Sequence, residues 1–149
     1  MVPEPRERGW AEAFRSRDLQ PGPIIRTRYS RRGGYEAAAE ILTWSTRPAA
    51  IFVASDQLAI GALAAFWQAG LRCPEDIAIV SFDGTSESEY CWPPLTVVRQ
   101  PIQAMAEAAV DAVLGLSSPP LTYRQFDTEL VIRESCGCRA PATDLTAPR

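Results

Sequence analysis

The chain has 149 residues, of which 46% are apolar, and a formal net charge of −3 at pH 7. This length and apolar content suit one domain with a hydrophobic core, and the charge gives no general case for nucleic-acid binding. The sequence contains no histidine, so the commonest general base and metal ligand are excluded.

The first part of the chain predicts two helices with a break between them. Residues 4–17 carry apolar side chains at helical spacing, and the Pro-Gly-Pro sequence at 21–23 ends that pattern. Residues 24–29 are predicted to form a short strand. A second helix is predicted over 31–44, with Ser30 as its N-cap.

The middle of the chain predicts a strand–helix–strand unit. An apolar run at 51–54 precedes a helical pattern at 57–69, and a second apolar run follows at 77–82. A third strand is predicted at 95–99. This order is typical of an α/β fold with a doubly wound, mostly parallel sheet, in which small ligands bind at the carboxyl ends of the strands.

The last part predicts one more helix and one more strand. Pro101 suits the first turn of a helix that continues to residue 114, and residues 126–133 alternate like a half-buried strand. Residues 139–149 have no core-forming pattern and are predicted to be a disordered tail.

Several classes of site lack their sequence signatures. The four cysteines, Cys73, Cys91, Cys136 and Cys138, do not have zinc spacing, and reduced thiols are favoured over a C-x-C redox pair or metal clip. Neither a G-x-S-x-G elbow nor a phosphate-binding loop occurs, so we predict a protein that is not an enzyme and uses no metal or cofactor. No apolar segment suits a membrane span or a secretory signal, which predicts a cytoplasmic location.

Polar side chains follow three of the predicted strands. Tyr29, Ser55 with Asp56, and Asp83 come directly after or at the ends of these runs, so they are expected at one edge of the sheet. Carboxylates, a hydroxyl and a flat ring are the groups that a polyhydroxylated ligand needs. For Asp56, capping the following helix is an equally good interpretation, whereas the ligand role is favoured for Asp83.

Three motifs, "ASDQLAIGAL", "AGLRCPEDIAIVSFDGT" and "PPLTVVRQP", resemble the effector-binding region of the lactose-repressor/galactose-repressor (LacI/GalR) family. The resemblance implies a periplasmic-binding-protein-like type I lobe and a sugar-sensing regulator of transcription. A solute-binding protein of a sugar transporter, which shares the architecture, is the alternative.

The resemblance also implies roles for individual residues. Arg6 matches an arginine that pairs with the effector, and Tyr29 falls where an aromatic ring often stacks on a sugar. Ser55 and Asp83 match a polar contact and a ligand carboxylate. Two apolar wall residues from the other lobe are matched, and both can equally be core residues: Ile102 and Met105.

The helix at 57–69 is apolar on all sides, so both of its faces must be covered. One cover is the sheet, and the other is either a neighbouring helix or a partner subunit. Because the equivalent helix of the family contributes to a homodimer interface, the resemblance favours the partner, contacted by four residues: Leu58, Ala62, Leu63 and Phe66.

The resemblance covers residues 5–138 and only the later part of a family member. It implies a carboxyl-terminal lobe at 4–92 whose first strand is missing, a strand and helix of the amino-terminal lobe at 93–120, and a return strand at 121–138. Operator DNA would be contacted only through an amino-terminal domain that is absent from this sequence. One departure from the family pattern is Ser81, where glycine is usual.

Overall fold

A computed structural model describes residues 5–116 and 123–138 of the chain. The described helices are α1 (Pro5–Arg15), α2 (Arg31–Leu42), α3 (Asp56–Gln68), α4 (Glu87–Tyr90) and α5 (Ile102–Val113). The described strands are β1 (Ala50–Val53), β2 (Ala78–Asp83), β3 (Thr96–Arg99) and β4 (Glu129–Val131), and a short 3-10 helix follows at Glu134–Cys136.

The four strands form one sheet in the order β1-β2-β3-β4. The β1–β2 and β2–β3 pairs are parallel, and β4 runs antiparallel to β3. Val53 is opposite Ser81, and Asp83 is opposite Arg99, so the carboxyl ends of the three parallel strands lie at one edge. The predicted mostly parallel α/β sheet is therefore confirmed.

Serine side chains begin two of the helices. The Ser30 hydroxyl accepts a hydrogen bond from the Gly33 backbone N–H at 3.0 Å, and Ser55 accepts one from Leu58 at 3.3 Å. Each hydroxyl satisfies one N–H that has no partner within the helix. The N-cap predicted at Ser30 is confirmed.

Two glycines allow α2 and α3 to pack with their backbones close together. A Cβ atom at Gly34 would collide with the backbone of Leu58, and one at Gly61 would collide with the carbonyl oxygen of Arg31. Helix α2 thus covers the face of α3 that the sheet leaves open, because only glycine permits this approach.

This packing corrects the expectation that a partner subunit covers α3. All four residues assigned to the dimer interface are buried within the single chain: Leu58, Ala62, Leu63 and Phe66. They belong to the core cluster or face it, since α2 fills the side that was assigned to a partner. The neighbouring-helix alternative is the one observed.

Two other expectations are changed by the structure. Residues 24–29 are not a strand, since none of the described strands lies beside them to complete a ladder. Strand β3 pairs with β2, so the strand expected in the other lobe belongs to this sheet. The short polar helix α4 was not predicted. The tail at 139–149 lies outside the described residues, as does the segment 117–122.

Helix α5 packs much less than α2 and α3. Ala108 is its only buried residue, although the helix is largely apolar. Its exposed apolar residues include Ile102, Val110 and Val113. An apolar helix surface of this kind normally lies against another protein element.

Candidate functional site

The polar edge predicted from the sequence exists at the carboxyl ends of β1, β2 and β3. Ser55 follows β1, Asp83 ends β2, and Gln100 follows β3. Helix α1 and the segment before α2 add Arg6 and Tyr29 to the same edge. We call these five residues and Phe82 the rim.

Arg6 connects the parts of the rim. Its guanidinium carbon lies 5.6 Å from the centre of the Tyr29 ring and 5.2 Å from that of Phe82. One guanidinium nitrogen donates a 2.9 Å hydrogen bond to the carbonyl oxygen of Ala54. Cation–π contacts and the hydrogen bond hold the positive charge over the sheet edge. The structure thus brings Arg6 and Tyr29 together.

Asp83 is held in place by its neighbour on β3. The Gln100 side-chain amide donates to Asp83 Oδ1 at 2.8 Å, and the Gln100 backbone N–H donates to the Asp83 carbonyl oxygen at 3.0 Å. Asp83 has φ of 120°, a backbone region that few residues other than glycine, asparagine and aspartate adopt. These constraints fix the direction of its carboxylate.

The surroundings of Asp83 disfavour the charged form of its carboxyl group. Burial raises the pKa of Asp83, and the negative charge of Asp56 raises it further. The Gln100 amide and the charge of Arg6 oppose these effects without cancelling them. A partly desolvated carboxylate of this kind is stabilised by hydroxyl donors that a ligand brings.

Asp56 has a structural environment. It is fully buried, and Oδ1 accepts a 2.5 Å hydrogen bond from the Ser81 hydroxyl. Oδ2 accepts hydrogen bonds from the Thr85 backbone N–H at 2.6 Å and its hydroxyl at 3.0 Å. Asp56 therefore ties the start of α3 to β2 and to the loop after Asp83, which favours the structural alternative. Ser81, the departure from the family pattern, supplies one of these bonds.

Ser55 and the two predicted wall residues are placed differently from Asp83. The Ser55 side chain is only 5% exposed, and its oxygen is used to cap α3. Ile102 begins α5 two residues after Gln100 and is exposed, whereas Met105 is half-buried. Ile102 is therefore close to the rim residue Gln100 in sequence.

An apolar groove of about 840 Å³ lies beside the rim, between α1, α2 and the outer edge of β1. Its walls include Trp10, Phe14, Ile41 and Phe52, and Arg6 is also part of its lining. Such apolar walls do not suit a polyhydroxylated ligand, whose buried hydroxyls need polar partners. The groove therefore differs from the rim in chemistry, although Arg6 and Tyr29 line both.

Two rim residues were not predicted. Gln100 lies in the quoted motif "PPLTVVRQP", and its position at the end of a strand was the available signal. Phe82 was interpreted only as the last apolar residue of its strand. Both are recognised because they contact Asp83 or Arg6, which are remote in sequence.

Residues 5–116 and 123–138 contain neither a metal-binding cluster nor a membrane-spanning helix. This part of the chain holds no group of three or more His, Cys, Asp or Glu residues that could bind a metal ion. None of its helices combines the length and the apolar character needed to cross a membrane.

Comparisons with known proteins agree with the fold. A family described as "Periplasmic binding protein-like domain" matches residues 2–136. The HTH-type transcriptional repressor MelR of Bacillus subtilis (strain 168) is 39% identical over 125 residues, which is 81% of this chain and 36% of the repressor. The chain belongs to the LacI/GalR family, in its periplasmic-binding-protein-like domain.

Other LacI/GalR members extend the comparison. The lactose operon repressor of Escherichia coli (strain K12) is 31% identical over 143 residues, 95% of this chain and 39% of that protein. A dimeric Lac repressor with an 11-residue C-terminal deletion superposes with a TM-score of 0.81 at 30% identity, covering 92% of this chain and 50% of that one. A complex of the regulator CelR with cellobiose gives a TM-score of 0.75 at 30% identity, covering 87% and 41%. The chain thus spans half or less of the length of these relatives.

Proposed function

We propose that this chain is the effector-sensing and dimerising part of a LacI/GalR-like transcriptional regulator, and that its effector is a sugar or a similar hydroxylated molecule. The observation that carries the proposal is the Arg6–Tyr29–Asp83 arrangement at the carboxyl edge of the sheet. Relatives named as repressors of ribose and lactose operons, and the CelR–cellobiose complex, support the ligand class.

Each rim residue has a chemical task in this proposal. The Asp83 carboxylate accepts hydrogen bonds from ligand hydroxyls, and the Arg6 guanidinium donates them. The Tyr29 ring, which is 58% exposed, stacks on the C–H face of the sugar. A ligand hydroxyl that is buried without such a partner costs about 1–3 kcal/mol, so these groups also decide which hydroxyl pattern binds.

The other predicted residues take supporting roles. Asp56 and Ser55 position the rim through the α3 start, rather than contacting the ligand with free side-chain atoms. Ile102 and Met105 supply an apolar wall on α5, which belongs to the second lobe of the sensor. The binding site would then be a cleft between two lobes, with residues 4–92, the β3 strand and 121–138 forming one wall.

We further propose that one more strand of the complete parent protein pairs with β1 and covers the apolar groove. β1 is an edge strand of the sheet, and α1 stands across the groove with Trp10 and Phe14 directed to each other and to its lining. A strand paired with β1 would cover these apolar groups and remove the open edge. The complete parent protein should therefore show slower hydrogen exchange of the β1 amides than this chain, and unchanged exchange would contradict this assignment.

The parent protein is proposed to act in the cytoplasm and to contact operator DNA through a separate amino-terminal domain. The relatives are transcriptional regulators, which favours this interpretation over a transporter's solute-binding protein and over an enzyme. Sequencing the reading frame upstream of Met1 tests it directly. A helix-turn-helix sequence is expected there, and a secretory signal would instead support the transporter alternative.

The effector assignment is tested by a thermal-shift screen of monosaccharides and disaccharides, including ribose, lactose and cellobiose, on the complete protein. At least one sugar is expected to raise the melting temperature. Asp83→Ala should abolish that shift, while the matched variant Asp127→Ala, at an exposed position, should keep it. A shift that survives Asp83→Ala removes Asp83 from the site.

A further inference from the structure

Two cysteines separated by one glycine, Cys136 and Cys138, lie at the end of the described part of the chain. Gly137 has a left-handed backbone with φ of 73°, and it turns the chain so that Cys138 returns toward Cys136. The Cys138 backbone N–H donates to the Cys136 sulfur at 3.4 Å. Only glycine adopts this turn without strain, so the Cys-Gly-Cys sequence favours contact between the two thiols.

We propose that Cys136 and Cys138 form a reversible thiol–disulfide site, which small disulfides such as oxidised glutathione convert into an intrachain disulfide bond. Cys138 is exposed and Cys136 is partly buried, so a small disulfide can reach the pair from solvent. The site is separate from the rim and from the proposed effector.

The environment of the pair sets the order in which the two sulfurs react. Partial burial by itself raises the pKa of Cys136, but hydrogen bonds from Thr96 and from Cys138 outweigh it and lower the pKa. The pKa of Cys138 is raised, because its thiol hydrogen is shared with Cys136. Cys136 is therefore the attacking thiolate, and Cys138 is the thiol that closes the disulfide.

The remaining two cysteines lie in environments that keep their thiols protonated. Cys73 donates its thiol hydrogen to the Ser135 carbonyl oxygen at 3.4 Å, and burial raises its pKa to about 12. Burial also raises the pKa of Cys91, whose thiol donates to carbonyl oxygens of the chain segment around it. Both stay protonated at neutral pH, so they react slowly with disulfides.

The thiol–disulfide exchange requires only the two protein thiols and the small disulfide. The Cys136 thiolate attacks one sulfur of the small disulfide, whose S–S bond breaks and releases one thiolate. The Cys138 sulfur, after losing its proton to solvent, then attacks the mixed disulfide at Cys136 and releases the second thiolate. Two protein thiols are oxidised, and one small disulfide is reduced to two thiols.

The position of the pair separates it from effector binding. Ser135, its neighbour, donates to the Ile79 carbonyl oxygen at 2.6 Å and accepts from the Thr96 N–H at 2.8 Å. These contacts anchor the turn near the beginning of β2 and β3, whereas Asp83 and Arg99 lie at the ends of those strands. Oxidation should therefore change the end of the sheet where β2 and β3 begin and leave the rim intact.

The test exposes the full chain to mixtures of oxidised and reduced glutathione, followed by alkylation and peptide mass spectrometry. We expect one intrachain disulfide linking Cys136 to Cys138, with Cys73 and Cys91 alkylated only after unfolding. Cys138→Ser should stop at a glutathione adduct on Cys136. Cys136→Ser should form no intrachain disulfide, and its exposed Cys138 should stop at a glutathione adduct.

Cys73→Ser is the matched control, since it removes a thiol that stays protonated. It should give the same Cys136–Cys138 disulfide at the same rate as the unmodified chain. First modification at Cys73 or Cys91 would overturn the proposal, and so would stable glutathione adducts in place of the disulfide.

Discussion

Asp83 combines its proposed ligand-binding role with a cost to the fold. Its folded pKa is raised, chiefly by burial, so the ionised form is disfavoured relative to the unfolded chain. The penalty is therefore present above the raised pKa and disappears as the pH falls below the ordinary aspartate value of about 3.9. This is the opposite sign from a carboxylate held by a salt bridge.

The first prediction concerns Asp83→Asn, which keeps an acceptor for Gln100 but removes the charge. At neutral pH the variant should unfold at higher urea than the unmodified chain, and the difference should vanish as the pH is lowered through the raised pKa. Effector binding by the unmodified protein should weaken over the same pH range, because protonation removes the charged acceptor. A stability difference that grows in acid would contradict a raised pKa at Asp83.

The second prediction concerns Asp56, which is buried with three hydrogen bonds. Asp56→Ala leaves the Ser81 hydroxyl and the Thr85 N–H without this partner, at about 1–3 kcal/mol for each buried group. Urea denaturation should show a loss of about 2–5 kcal/mol. Asp111→Ala, at an exposed position of α5, should change stability by less than about 0.5 kcal/mol. A loss at Asp56 as small as that at Asp111 would show that the hydrogen bonds are dispensable.

At the residue scale, the rim was only partly predictable from the sequence. Asp83 ends an apolar run, and this rule placed it at the edge where it is found. Tyr29 lies at the same edge although the strand predicted before it does not form. Arg6 lies in the middle of an amphipathic helix, where nothing local distinguishes it, so only the family resemblance singled it out. Gln100 was missed because its importance depends on a contact with Asp83 across two strands.

At the scale of the elements, the close packing of α2 on α3 depends on glycines that lack a Cβ atom.

The third prediction compares two glycines, each placed within a helix. Gly61→Ala puts a methyl group against the Arg31 carbonyl oxygen, and it should destabilise the chain by about 1–3 kcal/mol. Gly9→Ala meets nothing within 4 Å and should stabilise α1 by about 0.5–1 kcal/mol.

Both glycine variants are measured by urea denaturation, and only opposite signs support the packing argument. A destabilising Gly9→Ala would mean that α1 contacts something that its described surroundings do not include. A neutral Gly61→Ala would mean that the two helices separate at little cost, and α2 would then be a weaker cover for α3 than its geometry indicates.

The order of the helices and strands was predictable because each has a clear apolar period. Residues 24–29 were predicted wrongly because β-branched and aromatic residues indicate a strand only where a neighbouring strand completes the hydrogen bonds. Helix α4 was missed because a polar four-residue helix has no apolar period. The element that covers α3 was misassigned, because an apolar helix face indicates that the face is buried but does not identify what covers it.

At the scale of the whole molecule, the corrected packing changes where a partner subunit could bind. The outward positions of α3 are Ala64 and Trp67, with Ile60 half-buried on the same stripe. Trp67 is 77% exposed, which is unusual for so large an apolar side chain. Relatives include dimeric Lac repressors, so we propose this stripe as part of a homodimer surface.

The fourth prediction follows from that surface. Trp67→Arg should weaken dimerisation of the complete protein by about 2 kcal/mol or more, which is roughly thirtyfold in the dimer dissociation constant. Tyr123→Arg, an equally exposed aromatic position outside the stripe, is the control and should leave the constant unchanged. Sedimentation measures both, and equal behaviour of the two variants would exclude the α3 stripe.

The backbone at Asp83 also limits how the proposed effector site can diversify. A φ of 120° admits aspartate, asparagine and glycine far more readily than glutamate, serine or glutamine. Point mutations that alter ligand choice at this position are therefore confined to removing the charge or removing the side chain. New specificities should arise instead at Tyr29 and Ile102, where nothing comparable constrains replacement, so selection experiments for altered sugars should recover changes there first.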